Sequence, residues 1–415
     1  MSKNHPSSVL IIGGGAAGIT AAIAAARAGA KVTILERNER IGRKILSTGN
    51  GRCNLTNTDL HLKHYHGQNP KFAYSALNEF NYEKTLKFFD KLGIIPKTEA
   101  GGKVFPLSEQ ASSVLDVLRY EMEQIGVTVI CNADVSEIKK TAHDFSVICK
   151  DERKFQATRL ILTTGGKASP NLGSNGSGYI LAQSLGHSII EPFPALVRLH
   201  LAENFLKQIQ GFKFEGTAEI IVDNKSRAKA AGEILFTANG ISGPPILQLS
   251  RKAGEFLQKQ QKVCLKITII NHLSPEQLEQ TLLQRWQTQP SQTLAFSFTG
   301  FIHKRIVPAL LKAAGITDIN KKVTNVSAAE RHQIANILHD WRFEVTGTDS
   351  WSAAQVTAGG VNVKEINPET LESKKVTGLY LAGEILDIDG DCGGYNLQWA
   401  WSSGYIAGKN AALAD

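Results

Sequence analysis

The sequence predicts an α/β fold: a parallel-sheet domain whose sheet resumes near the end of the chain, after a β-rich piece that carries a helical insert. Three observations predict it. Val9–Ile12 is an unbroken apolar run, as a strand buried on both faces requires. A glycine turn and an alanine-rich stretch, Ala16–Ala28, lead from it to a second apolar run, Lys31–Leu35, which together read as a βαβ unit. Similar short apolar runs return at Val127–Cys131, at Arg159–Thr163 and, after a long stretch of different pattern, at Gly378–Glu384, so distant segments build one sheet.

The turn after the first run contains Gly13, Gly15 and Gly18 as G-x-G-x-x-G. Gly13 permits the tight turn, Gly15 lets a pyrophosphate approach the backbone, and Gly18 lets helix and strand pack closely. Glu36 ends the second strand, where a carboxylate can accept hydrogen bonds from ribose hydroxyls. G-x-G-x-x-G by itself is a weak signal and is met in turns that bind nothing. With strand, helix, second strand and acid all in place it predicts a Rossmann-like dinucleotide site.

A chain of 415 residues is too long for one ordinary core. Its composition is that of a globular protein, with no apolar run long enough to cross a bilayer. The start, MSKNHPSS, lacks the apolar centre of a signal peptide. The cysteines, Cys53, Cys131, Cys149, Cys264 and Cys392, are odd in number and form no C-x-x-C, which argues against a disulfide framework or structural zinc and for a reducing, cytoplasmic setting. Net charge is +8, and its distribution is uneven. Leu196–Val345 holds 19 Lys plus Arg against 12 Asp plus Glu, a net of +7, leaving +1 for the rest. Such a segment suits a polyanion, or is simply a solvated basic surface.

Ile41–Asn57 reads as a polar, glycine-rich loop in which Lys44, Gly49 and Arg52 can meet a phosphate or a ring. Tyr82–Leu92 reads as an amphipathic helix, and Ser108 as the N-cap of a helix reaching Gln124. Three strand-like runs, Val135–Ile138, Phe145–Cys149 and Lys154–Ala157, read as a meander. Thr164 and Gly165 follow the Arg159–Thr163 strand, where ligands sit in open α/β sheets. Gly173, Gly176 and Gly178 open a helix but no acid-ended strand follows, so no second dinucleotide unit is expected.

Pro192 and Pro194 mark a boundary, and beyond it Pro244 and Pro245 read as opening a short helix. The expected domains are 1–193 and 347–415 for the sheet domain, 194–272 with 341–346 for the β-rich insert, and 273–340 for a basic helical insert. In the last, helices are expected from capping boxes at Ser274 and Ser327 and over Ile302–Ala314. Near the end, a strand closes on Gly383-Glu384, and Gly393-Gly394-Tyr395-Asn396 opens a final helix. Asp387, Asp389 and Asp391 do not make an EF-hand, whose sixth and twelfth positions would be Cys392 and Gln398. No metal site is expected.

GGGAAG at the start, GRKILSTGNGRCNLTN, GGKVFP, LFTANGISGP, AAQVTAGGV and LAGEILDIDGDCGGYNLQWAWSSG together resemble the BaiN-like flavoproteins, also called the aminoacetone oxidase family or NAD(P)/FAD-dependent oxidoreductases. The resemblance covers essentially the whole chain. It implies a discontinuous glutathione-reductase-type FAD-binding Rossmann-like domain with noncovalent FAD, an inserted β-barrel-like domain and a helical subdomain. The contacts it implies fall on Gly13, Gly15, Ala17, Gly18, Glu36, Arg37, Lys44, Gly49, Arg52 and Val135, then on Thr164, Gly165, Glu384, Asp387, Gly394, Asn396 and Leu397. The last helix would turn its positive end to the flavin N1–C2=O edge. No histidine lies between His5 and His61 to serve as a covalent flavin anchor.

Members of the family are similar to ribosomal RNA dihydrouridine synthases, to bile-acid reductases and to amine oxidases. The resemblance therefore implies an FAD-dependent oxidoreductase. The basic segment favours NAD(P)H-dependent reduction of a uracil in large-subunit ribosomal RNA. The alternatives are a small amine or steroid enone as substrate, or a flavin-binding assembly factor without turnover. Cys53 is the candidate proton donor, against a packing role for the same residue; Cys392 is the weaker candidate. Oligomeric state is left open.

Overall fold

The computed structural model describes residues 7–414. The segment MSKNHP, read above for a leader, lies outside them. Two compact units are seen. One comprises the described residues up to Pro194 and from Trp351 onward; the other is Ala195–Ser350.

In the first unit, strand β1 (Ser8–Ile12) runs into helix α1 (Ala16–Arg27) and strand β2 (Lys31–Leu35). The five-stranded parallel sheet has β1 at its centre, with β2 and Thr128–Ile130 to one side and Arg159–Leu162 and Leu379–Leu381 to the other. Residues Val9–Ile12 are all buried, as their apolar run requires. Because the chain leaves β1 to pair first on one side and later on the other, a crevice forms at its carboxyl end. The meander is an antiparallel three-stranded sheet of Val135–Lys140, Phe145–Cys149 and Lys154–Ala157. The final helix, Tyr395–Leu413, packs along α1. Gly404 and Gly408 make that possible: a Cβ on either would overlap the carbonyl oxygen of Ala17 or Ala21.

The second unit is a closed six-stranded barrel. Around it run Leu199–Leu201, Gly240–Ser242, Lys225–Thr237, Lys213–Val222, Val263–Thr268 and Trp341–Thr348. Its interior is apolar, with Ile220, Ile234, Phe236, Leu265 and Phe343 fully or almost fully buried. Helices Pro275–Thr288 and Ala328–His339 both carry complete capping boxes, on Ser274 with Gln277 and on Ser327 with Glu330.

Four expectations need correction. Helix Ala111–Gln124 begins after Gln110, not at Ser108: Pro106 starts a turn that Glu109 completes with a positive φ of 53°. The helix expected over Ile302–Ala314 spans Val307–Ala313, since Pro308 has no N–H and is accommodated only in a first turn. Pro244 opens a 15-residue helix to Gln258 rather than a short one. Ile41–Asn57 is not simply a polar loop: it forms helix Arg43–Ser47 and strand Thr56–Asn57, and Ile45, Cys53 and Leu55 are in the core.

Candidate cofactor site

The crevice at the end of β1 is a cavity whose walls come wholly from the first unit. The glycine turn forms its floor. Gly13 has φ +104°, and a Cβ there would lie 2.5 Å from the Thr163 carbonyl oxygen, so the turn requires glycine. Gly15 is different. Its backbone is extended and a Cβ would meet no protein atom within 4 Å; it would project into the cavity that Gly15 lines. Ala17 also lines the cavity. Gly18 does not, because it serves packing: a Cβ would overlap the Gly13 carbonyl. Helix α1 starts at Gly15 with no side-chain cap and no acid in its first turn, leaving an electropositive end for an anion.

Glu36 lies on the wall and is 7% exposed. Its Oε2 accepts from the Gly14 N–H at 2.8 Å, and its Oε1 accepts from the Asn38 N–H at 2.8 Å and Asn38 Nδ2 at 2.6 Å. The carboxylate therefore closes the glycine turn while facing the cavity. Val135 lines the same end. Two wall residues hold buried atoms with no hydrogen-bond partner, Arg37 Nη1 and Thr164 Oγ1. A buried polar atom left unpaired costs about 1–3 kcal/mol, which a polar ligand would relieve. Gly165 adjoins Thr164 on the wall.

Lys44 and Glu384 line the cavity and pair with each other at 2.6 Å. The other Glu384 oxygen accepts from the Thr357 N–H at 2.9 Å. The final helix supplies Asn396 and Leu397. That helix is bolted to the Gly383-Glu384 strand end: Trp399 Nε1 donates to the Gly383 carbonyl at 3.1 Å, and the Gly383 N–H donates to Ser403 Oγ at 2.9 Å. Residues 340 positions apart, Lys44 and Glu384, thus meet in one site.

The remaining expected residues are not on the cavity wall. Gly49 has φ +56° and packs against Asn54 and Phe105. Arg52 pairs with Glu99 at 3.0 Å and lies over the Phe105 ring at 4.0 Å. Asp387 is buried and its Oδ2 accepts from the Gln68 N–H at 2.8 Å. Gly394 caps the final helix with φ +102°. Cys53 is fully buried behind Thr48, and burial pushes its thiol up to about 12 despite a hydrogen bond with Thr48. That is the setting of a packing residue. Thr48, Ser174, Ser177 and Gln355 line the cavity without having been singled out, since single polar residues in loops carry no spacing signal.

Residues 7–410 match the family described as the HI0933-like protein Rossmann domain. The chain belongs to this family. It is one of FAD-dependent oxidoreductases. Among relatives of the HI0933-like chain, the 3-dehydro-bile acid delta(4,6)-reductase of Clostridium scindens is 41% identical, over 97% of this chain and 98% of that one. The ribosomal RNA dihydrouridine synthase of Haemophilus influenzae is 32% identical, over 95% of this chain and 96% of that one. The Escherichia coli protein of the same name is 32% identical, with 98% of each covered.

The cavity fits FAD. An uncapped helix end beside the open Gly15 can take a pyrophosphate, with Arg37, whose Nη1 lacks a hydrogen-bond partner, on the same cavity wall for charge and Glu36 for a ribose. At the other end, the amino end of the Tyr395–Leu413 helix has no acid in its first turn and is suited to an electron-rich ring edge. Among the described residues no group of His, Cys, Asp and Glu is placed to hold a metal, and no helix is long and apolar enough to cross a membrane.

Proposed function

We propose that this protein is an NAD(P)H-dependent reductase of a carbon–carbon double bond conjugated to a carbonyl, with a uracil of large-subunit ribosomal RNA as its favoured substrate. The names of its relatives support the bond type. One states reduction of ring double bonds in a 3-oxo bile acid, the other formation of dihydrouridine. Both are reductions of a C=C bond in conjugation with a carbonyl. Bound FAD supplies a two-electron carrier. The balance is one hydride and one proton added across the C=C bond, with NAD(P)H oxidised to NAD(P)+.

The observation that carries the RNA reading is the charge of the second unit: Ala195–Ser350 holds 19 Lys plus Arg against 13 Asp plus Glu, a net of +6 against +2 for the rest of the chain. On its surface Arg227, Lys252 and Lys259 all lie within 5.1–6.0 Å of the Phe256 ring, and Arg251 joins Lys252 and Lys259 around Glu255. Clustered cations beside an aromatic face suit a phosphate backbone and a stacked base. A uracil inside folded RNA must be extruded to reach a cofactor, which such anchoring would support. The greater identity to the bile acid reductase favours a second reading, a steroid-like enone.

Mass spectrometry of ribosomal RNA from a strain lacking this protein decides between them. Loss of one dihydrouridine from large-subunit RNA, restored by the gene, is the expected result. Unchanged dihydrouridine, with NAD(P)H consumed when a 3-oxo-Δ4 steroid is supplied, would replace the RNA reading by the second.

A further inference from the structure

A cluster of titratable side chains lies beside the cofactor cavity but is not part of its wall. His64 places Nδ1 2.9 Å from Asp391 Oδ2 and Nε2 3.0 Å from Asp59 Oδ2. His66 Nε2 occupies the other Asp391 oxygen at 2.6 Å. The His64 ring stacks on Tyr395, with centroids 4.4 Å apart and an interplanar angle of 18°.

These contacts join two distant segments. Asp391 N–H donates to the His64 carbonyl at 2.9 Å, and Tyr65–His66 pairs antiparallel with Asp389–Gly390. Tyr65 OH donates to the Tyr395 carbonyl at 3.2 Å. The same loop then grips Asn396, which does line the cavity. Asn396 Oδ1 accepts from the Gly390 N–H at 2.8 Å, and Asn396 Nδ2 donates to the Gly390 carbonyl at 2.7 Å and the Asp391 carbonyl at 3.3 Å. From His64 to the cavity wall there is thus an unbroken chain of hydrogen bonds through one short loop.

We propose that His64 is a positioning residue for the cofactor: hydrogen-bonded to both Asp59 and Asp391, it pins the 389–396 loop and so fixes the amino end of the helix that lines the cavity. Without the His64 ring, Asp391 loses one of the two imidazoles that hold it, the loop loosens, and cofactor affinity falls. The inference rests on FAD as the ligand of the cavity.

The test is FAD affinity, read by flavin fluorescence on the full chain, with the absorbance maxima of the bound flavin recorded beside it. His64→Ala is expected to weaken FAD binding roughly tenfold or more, the size of a lost hydrogen bond to a charged group, and to shift those maxima. Asp391→Ala is expected to do the same, and the double variant to bind no more weakly than either single one, because both break the same link. Melting of the FAD-free proteins separates folding from positioning. A His64→Ala variant with wild-type affinity and spectrum, or strictly additive losses in the double variant, would overturn the proposal. No FAD uptake by the wild type would instead remove the cofactor reading on which it rests.

Discussion

At the scale of single residues, two glycines of one motif have opposite tasks. A side chain at Gly15 meets no protein and points into the cavity, whereas one at Gly18 overlaps the Gly13 carbonyl. Gly15→Val is expected to keep the melting temperature of the FAD-free protein and abolish FAD uptake. Gly18→Val is expected to destabilise the fold itself, by about 1–3 kcal/mol or more, as overpacking does. Melting and flavin absorbance on the two variants check this together. A second residue-scale case is Glu365. Burial would raise its pKa, but hydrogen bonds from Lys375, Ser188 and His187 outweigh it and hold the carboxyl at about 2, below its ordinary 4.5. The carboxylate thus adds stability on the order of 3 kcal/mol at neutral pH. That contribution is complete above pH 4.5 and is lost as pH falls towards 2. Glu365→Gln is expected to lower stability at pH 7 and to flatten acid unfolding over that window in denaturant titrations.

At the scale of elements, the site depends on how closely α1 and the final helix approach. Ala21 and Gly408 meet backbone to methylene, so Gly408→Ala must push the helices apart. A loss of about 1–3 kcal/mol is expected, accompanied by weaker FAD binding, because both helices end on the cavity. In the second unit, removing either capping-box serine, Ser274→Ala or Ser327→Ala, is expected to cost about 1 kcal/mol each and to leave FAD content unchanged, since neither helix contributes to the cavity. Thermal melts with flavin quantification distinguish the two classes.

At the scale of the whole molecule, the cavity belongs to one unit and the excess charge to the other. The strand Ile189–Ala195, which leads out of the first unit, pairs in one two-stranded sheet with Val356–Val361, on the return path. A chain with Ala195–Ser350 replaced by a short glycine–serine link is therefore expected to bind FAD and to lose RNA binding. In the full chain, replacing Arg227, Lys252 and Lys259 by alanine is expected to lower the salt dependence of binding to a ribosomal RNA fragment by about 0.7 log units per cation, read from filter binding over a range of salt. An unchanged salt slope would count against this surface as an RNA contact and against the RNA reading.

The β1–α1–β2 unit was legible because its signals are local: an apolar run, glycines at fixed spacing and an acid at the strand end all act within thirty or so positions, as the fold's physics demands. Twin capping boxes were legible for the same reason. The polar residues of Ile41–Asn57 misled, because Cys53 and Leu55 are buried by partners that only the fold brings there. Arg52 and Gly49 have the composition of a phosphate loop but spend it on Glu99 and Phe105. By itself the sequence determined the β1–α1–β2 unit with its glycine turn and that the sheet is completed by the end of the chain, since backbone turns, helix propensity and strand burial are set by neighbours in sequence. Only the tertiary structure decided which side chains face the cavity, that Lys44 meets Glu384, and that His64 is held between Asp59 and Asp391. Those pairings join segments up to hundreds of residues apart, and their geometry comes from packing, which no local pattern encodes.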